Sequence, residues 1–150
     1  MSSRAAFDLT FVPPLERSEV TPGIWDVKRK TFDGKGVALS DFRGRYLLLN
    51  FWGEWCKPCL AEMSTLVRAA REYSGKNVQF VGFAKVSRMD KALKVVADSG
   101  LTWPQVLLTE DVERYFQPAG YPTNLLILPN GRECLITHSL SGAFFKMYLH

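Results

Sequence analysis

Apolar residues fall along the chain in two distinct rhythms. Tyr46-Leu47-Leu48-Leu49-Asn50-Phe51-Trp52 is an almost unbroken apolar run, the pattern of a central strand buried on both faces. Beyond a short loop, Leu60, Met63, Leu66, Val67, Ala70 and Tyr73 recur at helical spacing and predict a helix over 57–73 with that stripe inward. Pro58 suits its first turn and Gly75 its carboxyl end. A second strand is expected over 78–86. A second helix is expected over 90–99, with Leu93, Val96 and Ala97 inward, Lys91 and Lys94 outward, and Gly100 closing it.

The rest reads as smaller pieces. These are a strand at 106–108, a helix at 110–116, a strand at 124–128, a turn at Pro129-Asn130-Gly131, a strand at 132–137 and a helix at 141–149 capped by Ser141. Upstream, 24–31 reads as an edge strand. Residues 1–22, punctuated by Pro13, Pro14 and Pro22, read as an N-terminal extension in which Phe7, Leu9, Phe11 and Val12 form one extended stretch. Alternating strands and helices followed by a late hairpin predict an α/β domain over 23–150, a mixed central sheet flanked by helices.

Composition narrows the class. A chain of 150 residues can bury roughly 70% of its unfolded surface, so it builds a core without metal or disulfide staples. Its 47% hydrophobic and 23% charged residues exclude disordered and collagen-like chains. No apolar run approaches the ~20 residues of a membrane span. The net charge of +4 is scattered, with Lys28-Arg29-Lys30 its densest run, so no nucleic-acid partner is expected. The first residues lack the apolar stretch of a signal peptide, which leaves the compartment open.

Chemistry concentrates at Trp55-Cys56-Lys57-Pro58-Cys59. C-x-x-C alone is ambiguous, because zinc sites share the spacing. Here it follows a buried strand and opens a helix, the context of a redox pair. A helix amino terminus offers free N–H groups and partial positive charge, which favour the thiolate form of Cys56. Cys59 lies one turn further in and is expected to be the more buried, close enough to bridge to Cys56.

The segment from Phe51 to Met63 resembles the active-site stretch of thioredoxin-fold proteins, and more closely that of TlpA/ResA-type thiol-disulfide oxidoreductases. Gly120-Tyr121-Pro122-Thr123, an apolar strand and Pro129-Asn130-Gly131 resemble that family's second landmark. The lead-in from Phe32 to Gly44 is similar as well. The resemblance implies a thioredoxin-like fold with a βα unit inserted before Pro122. It implies Cys56 as the attacking cysteine and Cys59 as the resolving one. Pro122 would be a cis-proline facing the pair, and the Tyr121 backbone would bind the substrate chain. Trp55 would shield the dithiol surface, and Glu62 would carry the proton of Cys59. Asn50 stands where thioredoxin has a buried aspartate, and Ser64 replaces a common proline.

The same resemblance implies protein thiols and disulfides as substrates, apocytochromes among them, and an upstream redox partner. It implies an extracytoplasmic monomer with no metal and no cofactor beyond the redox-active Cys56–Cys59 disulfide, although a cytoplasmic home stays open. Two other readings stand beside it. A peroxidase of the peroxiredoxin type would carry threonine three residues before its cysteine, where this chain has Gly53. A non-enzymatic binding or sensor module could hold zinc, with Cys134 and His138 completing a Cys3His set. Otherwise Cys134 reads as an inert core thiol, Trp52 as core and Lys85 as a charge at a strand end.

Overall fold

The computed structural model describes residues 15–149. Its sheet is built around β4 (Tyr46–Trp52), which pairs in parallel with β5 (Val78–Ala84) and antiparallel with β7 (Thr123–Ile127). On the parallel side β6 (Gln105–Leu107) extends it. On the other side come β8 (Glu133–Thr137) and β1 (Leu15–Glu19), so the strand order is β1-β8-β7-β4-β5-β6. β2 (Lys28–Arg29) and β3 (Val37–Ala38) form a separate ribbon, tied to the sheet by a bridge from Thr31 to Val106.

Side chains of β4 alternate between two cores, as a strand buried on both faces requires. Leu48 and Trp52 face α1 (Lys57–Glu72), α2 (Met89–Ser99) and α4 (Gly142–Tyr148), where they pack with Met63, Leu66, Ala92, Phe144 and Phe145. Leu47, Leu49 and Phe51 face α3 (Glu110–Phe116) and the upstream 3-10 turns, packing with Ile24, Trp25, Leu39 and Val112. Fully burying one such side chain contributes about 1.5–3 kcal/mol. This is the mixed, helix-flanked α/β architecture expected, and α2, β6 and α3 occupy the stretch before Pro122 where an insertion was expected.

Several expectations need correction. The segment read as an edge strand over 24–31 begins as a 3-10 turn, Pro22–Asp26, and contributes only the two residues of β2. Ile24 and Trp25 are adjacent and both buried, which an alternating strand cannot achieve. Within the stretch read as an extension, residues 15–19 pair with β8 as an edge strand, whereas Phe7, Leu9, Phe11 and Val12 lie outside the described residues. Leu60 is 36% exposed rather than buried, because the inward stripe of α1 is rotated to Cys59, Glu62, Met63, Leu66 and Ala69. In α2 Leu93 and Ala97 face out, and Ala92, Val95 and Val96 make the contact with the core.

Candidate active site

The end of β4 delivers the chain to Cys56 through Gly53-Glu54-Trp55. Gly53 is required by its neighbour, because a Cβ there would come within 2.5 Å of the Trp55 indole. Cys56 is the N-cap of α1, and its sulfur accepts the Cys59 backbone N–H at 3.2 Å. The two cysteines are joined by a disulfide, with Cα atoms 5.2 Å apart. When the bond is reduced, the same N–H and the helix end stabilise a thiolate on Cys56. Cys59 is the more buried, as expected, but only narrowly: it is 1% exposed and Cys56 4%.

A buried polar chain lies on the same face of the sheet. Glu62 follows Cys59 by three residues, one helical turn further along α1, and is 9% exposed. Its Oε2 accepts the Leu140 backbone N–H at 2.8 Å, and its Oε1 accepts Asn124 Nδ2 at 3.3 Å. Asn124 Oδ1 in turn accepts Asn50 Nδ2 at 2.7 Å, across the β4–β7 pairing that sets the two asparagines opposite each other. Burial pushes the Glu62 carboxyl up from the ordinary glutamate value, and the Leu140 and Asn124 donors pull partly against that shift. A carboxyl so placed is suited to taking up and returning a proton.

The Tyr121–Pro122 peptide bond is cis and leads into β7. The Thr123 hydroxyl donates to the Gly120 carbonyl and lies 3.1 Å from His138 Nδ1. Trp55, 49% exposed, meets the Tyr121 ring edge-on at 5.6 Å and donates its indole N–H to the Lys85 carbonyl at 2.9 Å. Glu54 accepts the backbone N–H groups of Ser87 and Arg88 at 2.9 and 3.0 Å, tying the dithiol loop to the start of α2. Behind the rim, Trp52 donates to Gln105 Oε1 at 2.9 Å, and this amide occupies the space that a Cβ on Gly82 would take.

The sequence profile of the AhpC/TSA family matches residues 22–131. The chain belongs to that family. It is 32% identical over 108 residues to the thioredoxin-like protein YneN of Bacillus subtilis, covering 71% of this chain and 64% of that protein. It is 38% identical over 117 residues to the thiol-disulfide oxidoreductase ResA of Geobacillus kaustophilus, covering 74% of this chain and 65% of that one. The chain thus spans a little under two thirds of each of these relatives. Its fold matches the crystal structure of a thiol:disulfide interchange protein of the thioredoxin family from Chlorobium tepidum, with a TM-score of 0.75 and 25% identity, covering 83% of this chain and 93% of that one.

Cys56, Cys59 and Glu62 come together on the first turns of α1, Trp55 of the dithiol loop meets Tyr121, and Pro122 follows Tyr121 through a cis bond. Sequence reasoning missed Asn124, the Leu140 N–H and Glu113. Glu113 Oε2 accepts Lys85 Nζ at 2.7 Å and the Tyr121 hydroxyl at 2.6 Å. Lys85, read as a plain strand-end charge, is therefore part of the rim. Cys134, on β8 opposite Ser18 of β1, is a buried free thiol whose titration is pushed up by burial, and it lies among the core residues of the opposite face of the sheet.

Proposed function

We propose that the chain is a thiol-disulfide oxidoreductase that reduces disulfides of protein partners through Cys56 and Cys59. The observation that carries this reading is the disulfide at the amino end of α1, whose loop packs through Trp55 against Tyr121 of a cis-proline loop. In the working direction the Cys56 thiolate attacks a partner disulfide, forming one mixed disulfide and releasing one partner thiolate. Glu62 accepts the proton of Cys59, whose thiolate attacks the Cys56 sulfur. The second partner thiolate leaves, and the Cys56–Cys59 disulfide forms. Two electrons pass to the partner, and an upstream dithiol protein restores the reduced pair. Trp55 shields the pair, and the Tyr121–Pro122 backbone holds the substrate chain. The protein acts as a monomer in an extracytoplasmic compartment, and no helix among the described residues is long and apolar enough to cross a membrane.

The test combines trapping with turnover. Cys59→Ala accumulates mixed disulfides with partner proteins through Cys56, because the resolving step is lost. Cys56→Ala abolishes reduction of insulin disulfides in the presence of a dithiol donor. Insulin reduction that survives Cys56→Ala overturns the reading.

A further inference from the structure

One carboxylate oxygen binds two segments of the rim directly. Glu113 closes the first turn of α3, and its Oε2 accepts both the Lys85 ammonium at 2.7 Å and the Tyr121 hydroxyl at 2.6 Å. Lys85 lies at the end of β5, where its N–H donates to the Trp52 carbonyl at 2.8 Å and its own carbonyl accepts the Trp55 indole at 2.9 Å. Its ammonium also stands 5.6 Å from the centre of the Tyr121 ring, which meets Trp55 edge-on. The end of β5 and the cis-proline loop thus meet on a single side chain outside the dithiol segment, and the dithiol loop is linked to it through Lys85 and Tyr121.

We propose that Glu113 is a positioning residue for protein substrates: through Tyr121 and Lys85 it holds the Tyr121–Pro122 backbone and the Trp55 indole in the arrangement that receives the substrate chain. This rests on the reductase reading above and deepens it. The contacts are charge-assisted, so they are stronger than neutral hydrogen bonds. The ionisation states support them, since the Lys85 and Tyr121 donors hold the Glu113 carboxyl below its ordinary range and so keep it a charged acceptor. Burial and the Glu113 bond push the Tyr121 phenol up, keeping it a donor. Lys85 is half exposed and Glu113 about a third, so the pair adds little to global stability. Its work lies in geometry. A small disulfide needs only the Cys56 sulfur, whereas an extended protein chain also needs the backbone of Tyr121.

The experiment compares insulin with oxidised glutathione as disulfide substrates for Glu113→Ala and Tyr121→Phe. Glu113→Ala removes the bonds to both Lys85 and Tyr121; the KM for insulin rises about tenfold, set by the lost Tyr121 bond to the carboxylate with the exposed Lys85 pair adding little, while kcat stays within about twofold. The rate with glutathione disulfide stays within about twofold of the parent rate. Tyr121→Phe reproduces the KM rise, and combining the two adds nothing further, because both cut the same link. An unchanged insulin KM in Glu113→Ala overturns the proposal. So does an equal loss with both substrates, which would mean an electrostatic effect on the Cys56 thiolate. A parent protein that fails to reduce either disulfide overturns the reductase reading itself, a result separable from the other two.

Discussion

Glu62→Gln separates proton handling from structural support. Glu62 makes two contacts, both as acceptor, to Leu140 N at 2.8 Å and Asn124 Nδ2 at 3.3 Å. Glutamine keeps one acceptor and turns the other atom into a donor facing a donor. Asn124 cannot simply flip, because its oxygen holds Asn50 Nδ2 at 2.7 Å. One buried donor left unmatched costs about 1–3 kcal/mol. Against this, glutamine removes the cost of holding a carboxylate at a site 9% exposed.

The sign with pH follows from the raised carboxyl. An acid whose folded value lies above its unfolded value of about 4.3 binds more protons when folded. Its favourable contribution is full below the unfolded value and is lost as pH climbs through the folded one. The stability of the parent relative to Glu62→Gln therefore declines across that window, the other carboxylates contributing equally to both. The parent leads by about 1–3 kcal/mol in acid, and the gap narrows above the window. Urea denaturation at a series of pH values reads this directly.

Kinetics supply the decisive arm. Stopped-flow release of partner thiols has two phases, Cys56 attack and then Cys59 resolution. Losing a proton acceptor slows the second phase about 100-fold, the lower end for general base catalysis, and leaves the first within about twofold. A second phase identical to the parent's from about pH 5 to about pH 9 would refute the proton role.

Three further outcomes are expected. Gly53→Ala drives a Cβ to 2.5 Å from the Trp55 indole and breaks its bond to the Lys85 carbonyl, so tryptophan fluorescence shifts and stability falls by about 1 kcal/mol, read by urea denaturation. Gly82→Ala pushes the Gln105 amide off Trp52, combining overpacking with an orphaned indole N–H; the loss is about 3 kcal/mol, or about 10 °C in Tm by calorimetry. Cys134, 4% exposed and raised by burial, escapes an aromatic disulfide reagent in the native oxidised protein and reacts as a single thiol after unfolding.

What the sequence made legible was local. The seven residues of β4 and the start of α1 coincide with their expected bounds because apolar density and a proline in the first turn act over a few residues. The dithiol was visible for the same reason, since both sulfurs and the helix end lie within four residues. The partners of Glu62 were not visible, because Asn124 and Leu140 lie 62 and 78 residues away and carry no periodic signature. Leu60 was misplaced for a related cause. Counting apolar residues cannot anticipate a glutamate drawn inward by an asparagine and a backbone N–H, and that rotation turned Leu60 outward. Glu113 was hidden in a first turn with Glu110 and Asp111, where acidic residues suit the helix dipole and need no other explanation.

The polar site nevertheless depends on the apolar pattern. Asn50 meets Asn124 because Leu48 and Leu49 of β4 stand opposite Leu126 and Leu125 of β7 in the same register. A slip of one residue would send Asn124 into the apolar core on the other face of the sheet, away from Glu62, and move Leu126 out of its own core into that one. The buried leucines therefore fix the register, the register places the two asparagines, and the asparagines orient the carboxylate one turn beyond Cys59. Shortening a leucine such as Leu126 should thus disturb resolution by Cys59 even though Leu126 makes no contact in the polar chain, and Leu126→Ala read by the same two-phase assay tests that coupling against a pure stability loss of about 2–5 kcal/mol.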